Sequence, residues 1–197
     1  MSCNFGSKIK LTIFGQSHSQ AIGCVLDGIP AGIKLDFDRI EAFMARRAPG
    51  KNAMSTARKE TDKPRIVSGI VDGITCGAPI CAIIENSDAL SGDYDKLRNL
   101  PRPAHSDFAA YIKHNGFNDI RGGGNFSGRL TAPLCFAGAV IMQMLEKKGV
   151  YIGAHIKRIA KIDDESFNPV SVNKLDFEAV SAKELPVIND ECGEKMK

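Results

Sequence analysis

The 197-residue sequence lacks the features that mark metal-dependent or disulfide-stapled proteins. Its six cysteines include no Cys-x-x-Cys pair, and its four histidines have no partners at the spacing of metal ligands. We therefore expect no zinc site, and the cysteines, most of which lie in apolar segments, are predicted to be buried, reduced thiols. A chain of this length can form an adequate core without such links.

Long apolar runs are also missing. The longest, residues 132–145, contains Pro133 and Gln143 and is shorter than a membrane-spanning helix, which needs about 20 residues. The first twelve residues are polar and include no apolar stretch that ends in small residues, so no secretory signal is predicted. We expect a cytoplasmic protein with no membrane span.

The net charge of +3 is too small to indicate nucleic-acid binding by itself, but the basic residues are unevenly placed. Between Arg39 and Arg65 there are eight Lys and Arg, three acidic residues, one Phe and no Tyr or Trp. Because nucleic-acid-binding surfaces combine basic with aromatic side chains, this stretch favours a small phosphorylated ligand instead. A solvated loop with scattered charges is the alternative.

Hydrophobic periodicity predicts an α+β fold. Strands are predicted at residues 8–14, 23–27, 66–71, 80–85 and 150–162. Helices are predicted from a cap at Asp36 or Asp38 to Pro49, from 106 to 114, from 131 to 148, from 175 to 183 and from 187 to 197. The helix that starts near Thr131 is apolar on nearly every face, which predicts burial between layers. Two long loops, residues 48–63 and 86–103, are typical of functional segments.

A first candidate motif, Gly15-Gln16-Ser17-His18-Ser19, lies between the first two predicted strands. An imidazole is the side chain whose ordinary pKa lies nearest neutrality, so His18 is a candidate proton donor or acceptor. The alternative is a histidine that only caps a turn. The motif approaches the Gly-x-Ser-x-Gly nucleophile elbow but lacks its last glycine and a following helix, so a serine hydrolase is the weaker hypothesis.

A second motif, Arg102-Pro103-Ala104-His105-Ser106-Asp107, directly precedes a predicted helix. Guanidinium groups bind phosphate or carboxylate as a fork, and helix N-termini add backbone donors for anions. Arg102 and His105 are therefore candidate ligand-binding residues.

A third motif, RGGGNFSGR at residues 121–129, leads into the apolar helix. Consecutive glycines let backbone amides approach a ligand closely. The motif is not a P-loop, because Arg129 and Leu130 stand where Lys and Ser or Thr are required, and Gly128 is one residue late for a dinucleotide fingerprint. ATP and NAD sites are thus not predicted, and tight packing of the glycines is the alternative to a ligand site.

In this order and spacing the motifs resemble the N-terminal part of the chorismate synthase family. The resemblance is nearly continuous from about Ile9 to Ile162, through TIFGQSHSQAIGCVLDGIP, RRAPG, RKETDKPRIVSGIVDGITCGAPICAIIENSD and RPAHSDFAAYIKHNGFNDIRGGGNFSGRLTA. It implies a layered β-α-β sandwich around a buried long helix, of which this chain is the first of two similar halves. Residues 1–197 would form one domain, with residues 162–197 peripheral or incompletely ordered.

The resemblance implies a carbon-oxygen lyase of aromatic amino acid biosynthesis. Such an enzyme ends the shikimate pathway by trans-1,4-elimination of phosphate from 5-enolpyruvylshikimate 3-phosphate, which gives chorismate. It is a flavoprotein that requires reduced FMN, with NADPH as a possible reductant, and it forms a homotetramer. The partners implied are a phosphorylated small molecule and further copies of the chain, with neither nucleic acid nor membrane.

The resemblance also assigns roles to residues. His18 would protonate the departing phosphate, His105 would serve the reduced flavin, and Ser17 and Ser127 would belong to the proton network. The anions of substrate and flavin would be held by Arg46, Arg47, Arg102 and Arg129. Flavin contacts would come from Arg47, His105, Asn125, Phe126 and Ser127. No metal is implied.

The chain departs from the family pattern at these motifs. Family members read Gly-Glu-Ser-His-Gly and Arg-Pro-Gly-His-Ala-Asp at the first two motifs, and Arg-Ser-Ser-Ala-Arg-Glu-Thr after the glycine run. The departures are Gln16, Ser19, Ala104, Ser106, Asn125, Phe126, Gly128 and Leu130, together with Ala53 where an arginine is usual. Asn125 removes a positive charge and Leu130 removes a carboxylate.

Family members are also roughly twice as long as this chain. Two hypotheses remain open: half of an active chorismate synthase, or a non-catalytic module that keeps the fold and an anion site. The length is consistent with a fragment or with a short family member that pairs its half-site with another chain.

Overall fold

The computed structural model describes residues 3–48, 62–86, 94 and 100–197. Its internal contacts divide the chain into two compact units, residues 1–143 and residues 144–197. Part of the predicted loop 48–63, most of the predicted loop 86–103 and Ala53 lie outside the described residues. The single-domain interpretation stays a prediction.

The first unit contains a five-stranded antiparallel sheet in the order β1-β2-β3-β7-β4. Its strands are β1 (Asn4–Phe5), β2 (Lys10–Gly15), β3 (Ala21–Asp27), β4 (Arg65–Ser68) and β7 (Ile80–Glu85). A small hairpin, β5 (Ile70–Val71) and β6 (Ile74–Thr75), lies between β4 and β7 in sequence. The four strands predicted for this unit are confirmed, although the segment predicted as 66–71 divides into β4 and β5.

One face of the sheet is buried because apolar side chains alternate along its central strands. Directly opposed pairs join β3 to β7: Ile22 with Ile84, Cys24 with Ala82, and Leu26 with Ile80. All six residues are at most 1% exposed, so this face forms the core of the unit.

A side chain of one helix in the first unit hydrogen-bonds to the residue that caps another. Asp36 caps α1 (Phe37–Arg47) by accepting a hydrogen bond from the Arg39 N–H, as predicted. The side chain of Gln143, in α3 (Thr131–Glu146), accepts from the Asp36 N–H at 2.8 Å and donates to the Asp36 carbonyl at 3.0 Å. This exchange explains why an otherwise apolar helix carries a buried glutamine.

Helix α3 buries one face, which includes Phe136 and Val140. Leu134 on its outer side is 41% exposed, so the burial predicted for nearly every face is not seen within this chain. Within the described residues, the helical stretch Gly128–Glu146 is long and apolar enough to cross a membrane by length and composition alone. Core helices that are mostly buried pass the same test, so it is weak support for a membrane span.

The remaining helix of the first unit, α2 (Asp107–Lys113), follows the second motif and confirms the helix predicted from 106 to 114. A kinked segment, Arg121–Phe126, whose three glycines depart from helical φ and ψ, and a 3₁₀ turn, Gly128–Leu130, then lead into α3. They carry the third motif to the head of the apolar helix.

The strands of the second unit form a short hairpin, β8 (Arg158–Ile159) and β9 (Ile162–Asp163). The continuous strand predicted for 150–162 is therefore wrong, because the chain reverses at Ala160, which adopts a positive φ of 52°. The two helices predicted near the end are confirmed as α4 (Lys174–Ser181) and α5 (Asp190–Met196). A small core of Leu185, Val187 and Met196 packs with isoleucines of the hairpin region.

Asp164 is the main polar link within the second unit. Its buried carboxylate accepts hydrogen bonds from the backbone of Ile188 at 2.6 Å and of Asn189 at 2.9 Å, and lies 3.1 Å from His155 Nδ1. Burial alone would raise the pKa of Asp164, but these hydrogen bonds outweigh it and hold the pKa below its ordinary value. The carboxylate thus joins the end of β9 to the segment that starts α5.

The six cysteines are all reduced in the structure. The prediction of burial holds for Cys24, where burial raises the thiol pKa to about 12, but it is wrong for Cys3 and Cys76, which are exposed. Among the described residues, no cluster of His, Cys, Asp or Glu could hold a metal ion.

Replacing Asp164 should destabilise the second unit. D164A leaves the N–H groups of the half-buried Ile188 and Asn189 without their acceptor, so we expect the free energy of unfolding to fall by about 3 kcal/mol. D163A, next to it, removes only an exposed ion pair with Arg158 and should cost far less stability than D164A. Urea denaturation measures both, and equal losses would contradict the role given to Asp164.

Candidate active site

The first motif forms the loop between β2 and β3. The last residue pair that joins these two strands is Gly15 with Ile22. Within it, the Ser19 hydroxyl accepts from the Gln16 N–H at 3.0 Å and lies 2.7–2.8 Å from two backbone carbonyls. Ser17 is 1% exposed, and its backbone N–H donates to the Gly124 carbonyl at 3.1 Å. The loop is thus tied directly to the glycine run.

The glycine run needs glycine because all three of its residues are left-handed. Gly122, Gly123 and Gly124 have φ values of 57°, 97° and 56°. Side chains of L-residues are strained in this region, and three consecutive residues there are tolerated only without β-carbons. The conformation presses this backbone against the side chains of the other two motifs.

The four predicted catalytic residues meet on this run. A β-carbon built on Gly122 would contact the His18 ring, 2.6 Å from its Nδ1, and would lie 2.7 Å from the Ser17 hydroxyl. One built on Gly123 would lie 3.2 Å from His105 Nε2 and 3.7 Å from the Ser127 Cβ. Because neighbouring Cα atoms are about 3.8 Å apart, both imidazoles flank the same short piece of backbone.

Asp107 holds the second motif in place. Its carboxylate pairs with Arg102 in a fork of 2.7 and 2.9 Å and lies 2.7 Å from His105 Nδ1. The bonds from Arg102 hold the Asp107 pKa well below its usual range, although burial opposes this. An ionised carboxylate at Nδ1 leaves Nε2 as the His105 nitrogen that faces Gly123.

The backbone of the second motif is strained at one departure from the family. Ala104 adopts a φ of 58°, a left-handed conformation that suits the glycine which the family pattern quoted above has at this position. The departure therefore costs backbone strain and leaves the pairing of Arg102 with Asp107 intact.

Two predicted anion-binding arginines converge on one buried carboxylate. Asp62, 2% exposed, forms ion pairs with both Arg47 and Arg129. Arg47 also donates from Nε to the Thr131 hydroxyl at 3.3 Å, and Arg129 donates from Nε to Asn86 Oδ1 at 3.0 Å. Asp62 therefore links α1 to the head of α3 and neutralises part of the local positive charge.

Tyr94 joins the first two motifs. Its ring packs edge-on against His18, with 5.0 Å between centroids, and the Arg102 guanidinium lies 5.9 Å from the Tyr94 ring centroid. His18 and Arg102, far apart in sequence, thus share one aromatic neighbour.

The other predicted residues lie around this centre. Arg46 is exposed at the end of α1, with its guanidinium over Phe43, and Asn125 is exposed within the glycine-run segment. The half-buried Phe126 ring lies 6.2 Å from His114, and the Ser127 hydroxyl accepts from the Arg129 N–H at 3.3 Å. The structure therefore does not gather Arg46 with the two imidazoles.

Sequence reasoning missed several residues at this centre: Asp62, Asn86, Tyr94 and the positioning role of Asp107. Asp107 stands in a quoted motif, and its acidic side chain two residues after His105 was a usable signal. Asp62 and Tyr94 occur in the polar segments predicted as loops, where no local pattern marks their partners.

Such a centre can move protons next to an anionic ligand: two imidazoles and two serine side chains lie against a backbone with no side chains. Arg102 and Arg129 bond to Asp107 and Asn86, which contact His105 and the His18 loop. A proton-transfer site for an anionic ligand, on an α+β fold, is the class of site that the three motifs predict. A family model described as chorismate synthase matches residues 9–197, so the chain belongs to the chorismate synthase family.

Individual chorismate synthases are also similar to this chain in sequence. The chorismate synthase of Lancefieldella parvula is 39% identical over 208 aligned positions, which cover 100% of this chain and 54% of the relative. That of Thermococcus kodakarensis is 39% identical over 183 positions, 89% of this chain and 51% of the relative. The chain therefore spans about half the length of these relatives.

A crystal structure of a chorismate synthase is similar to this chain with a TM-score of 0.64 and 25% sequence identity. The match covers 96% of this chain and 51% of the other. It confirms the predicted chorismate synthase-like α+β fold.

Adding a methyl group to Gly122 should damage the site. In G122A the β-carbon would overlap His18 and Ser17 while the backbone stays left-handed, so the free energy of unfolding should fall by about 2–4 kcal/mol. In the matched control, G138A, the β-carbon meets nothing within 4 Å and lies inside α3, where alanine is favoured by about 0.5–1 kcal/mol. Thermal or urea unfolding compares them, and a harmless G122A would contradict the packing described.

The stabilising effect of Asp107 should depend on pH. Its folded-state pKa lies below the ordinary value of 3.8, so its contribution is full above that pH and is lost as the pH falls toward the folded-state value. We expect D107N to be less stable than the wild type by about 2 kcal/mol at neutral pH, with the gap closing below about pH 4. Urea unfolding between pH 3 and pH 7 measures this, and a constant gap would contradict it.

Proposed function

We propose that this chain carries the histidine-bearing part of a chorismate synthase active site. The substrate would be 5-enolpyruvylshikimate 3-phosphate, which loses phosphate by trans-1,4-elimination to give chorismate. The observation that supports this most is the meeting of His18, Ser17, His105 and Ser127 on the glycine run.

Elimination breaks a carbon-oxygen bond, whose electron pair leaves with the phosphate, and a ring carbon-hydrogen bond, whose proton passes to a basic group of the site. The departing phosphate therefore gains charge as it leaves. A proton donor beside it lowers the barrier. His18 is half-buried between Gly122 and Tyr94, which suits an imidazole that gives a proton to a bound phosphate. Arginines bind phosphate and carboxylate groups as forks, so Arg102 and Arg129 would hold the anions of the substrate.

The residues present fit a flavin at the same centre. Asp107 fixes Nδ1 of the partly exposed His105, which leaves Nε2 free to serve a bound ring. Arg47, Asn125, Phe126 and Ser127 would add the remaining contacts. When bound, reduced FMN supplies electron density that the substrate takes up as phosphate leaves and returns afterwards, so no net oxidation occurs.

The proposed function also implies a pathway, a cellular location and an assembly for the protein. The chain would act in aromatic amino acid biosynthesis in the cytoplasm, assembled with further copies of itself as a tetramer. NADPH, or an external reductase, would supply the reduced flavin.

Anaerobic assay with the enolpyruvyl substrate and reduced FMN tests the proposal through the absorbance of chorismate. Turnover should fall about 10²–10⁴-fold in H18A and in H105A, because each removes a positioned proton donor. H155Q, in the second unit, is the matched control and should retain turnover.

The outcomes separate the open hypotheses. Ligand binding without turnover in the wild type would favour the non-catalytic anion-binding module. Full turnover in both H18A and H105A would show that the roles given to the imidazoles are wrong.

A further inference from the structure

Asn86, which directly follows β7, makes four hydrogen bonds at the edge of the site. Its side-chain Nδ2 donates to the Gln16 carbonyl at 3.2 Å and to the Ser19 carbonyl at 2.8 Å. Its backbone N–H donates to the Gln20 carbonyl at 3.0 Å, and its Oδ1 accepts from Arg129 Nε at 3.0 Å. Three of these bonds hold the loop that carries His18.

Only a carboxamide of this length can make the set. A primary amide offers two donors and a carbonyl acceptor, and Asn86 uses both donors on the loop and the acceptor on Arg129. An aspartate would keep the bond to Arg129 but would set a carboxylate oxygen against two backbone carbonyls. An alanine would lose all three side-chain bonds.

The bond to Arg129 extends this support to the anion-binding side of the site. Arg129 is 5% exposed, and its guanidinium is fixed by Asp62, which also pairs with Arg47. A chain of direct contacts thus runs from α1 through Asp62, Arg129 and Asn86 to the loop on either side of His18.

We propose that Asn86 is a positioning residue that sets the orientation of the His18 loop and couples it to the guanidinium of Arg129. The proposal rests on the proposed function only in giving His18 its role as proton donor. The arrangement itself can be measured without substrate or flavin, so a failure of catalysis leaves this proposal to be judged separately.

The test uses proton NMR of the four histidine Cε1–H signals in the 197-residue protein, assigned by single histidine-to-glutamine variants. In N86D the His18 signal should shift, while the signals of His114 and His155 stay as in the wild type. The matched control is N173D at the N-cap of α4, where aspartate caps as well as asparagine, and it should leave all four signals unchanged.

Hydrogen exchange gives a second readout. The Ser17 amide, which bonds to Gly124, should exchange about tenfold faster in N86A and N86D. In both variants the loop loses the two hydrogen bonds from the Asn86 Nδ2 group and therefore opens more readily. The amides within the strands of the sheet should keep their protection against exchange.

Either of two results would overturn the proposal. If the His18 signal stays as in the wild type in a folded N86D, Asn86 does not position it. If all four histidine signals move together, Asn86 has a general structural role only.

Discussion

The close approach between the glycine run and two imidazoles is the constraint on which the site depends. At Gly122 the His18 ring occupies the space in which any other residue would place its β-carbon, and at Gly123 the His105 ring lies only 3.1–3.2 Å from that position. Three consecutive left-handed residues cannot be built from other amino acids without strain. The bond from the Ser17 N–H to the Gly124 carbonyl then ties the loop after β2 to the same backbone.

Around this backbone, carboxylates fix the cationic side chains. Asp107 orients Arg102 and His105, and Asp62 holds Arg47 and Arg129 from a buried position. Guanidinium groups held in this way lose little side-chain entropy when an anion arrives, which favours binding in one geometry. The pairing of Asp62 with Arg47 and Arg129 also lowers the local positive charge that the basic segment, residues 39–65, predicted.

The sequence allowed the sheet and the helices of the first unit to be predicted, because apolar alternation and helix caps are local signals. The strand expected at 150–162 was wrong, since the tight reversal at Ala160 is not marked by any glycine or proline within residues 154–162. The motif residues of the site were found through the order of the motifs. Asp62 and Asn86 were not found, because they contact Arg129 across 67 and 43 positions of sequence, which no periodicity encodes.

The central claim is that both imidazoles lie against the glycine run. Nuclear Overhauser measurements on the isotope-labelled protein test it directly. The account predicts cross-peaks from the Gly122 Hα protons to the His18 ring and from the Gly123 Hα protons to the His105 ring. A folded protein that shows neither cross-peak would contradict it.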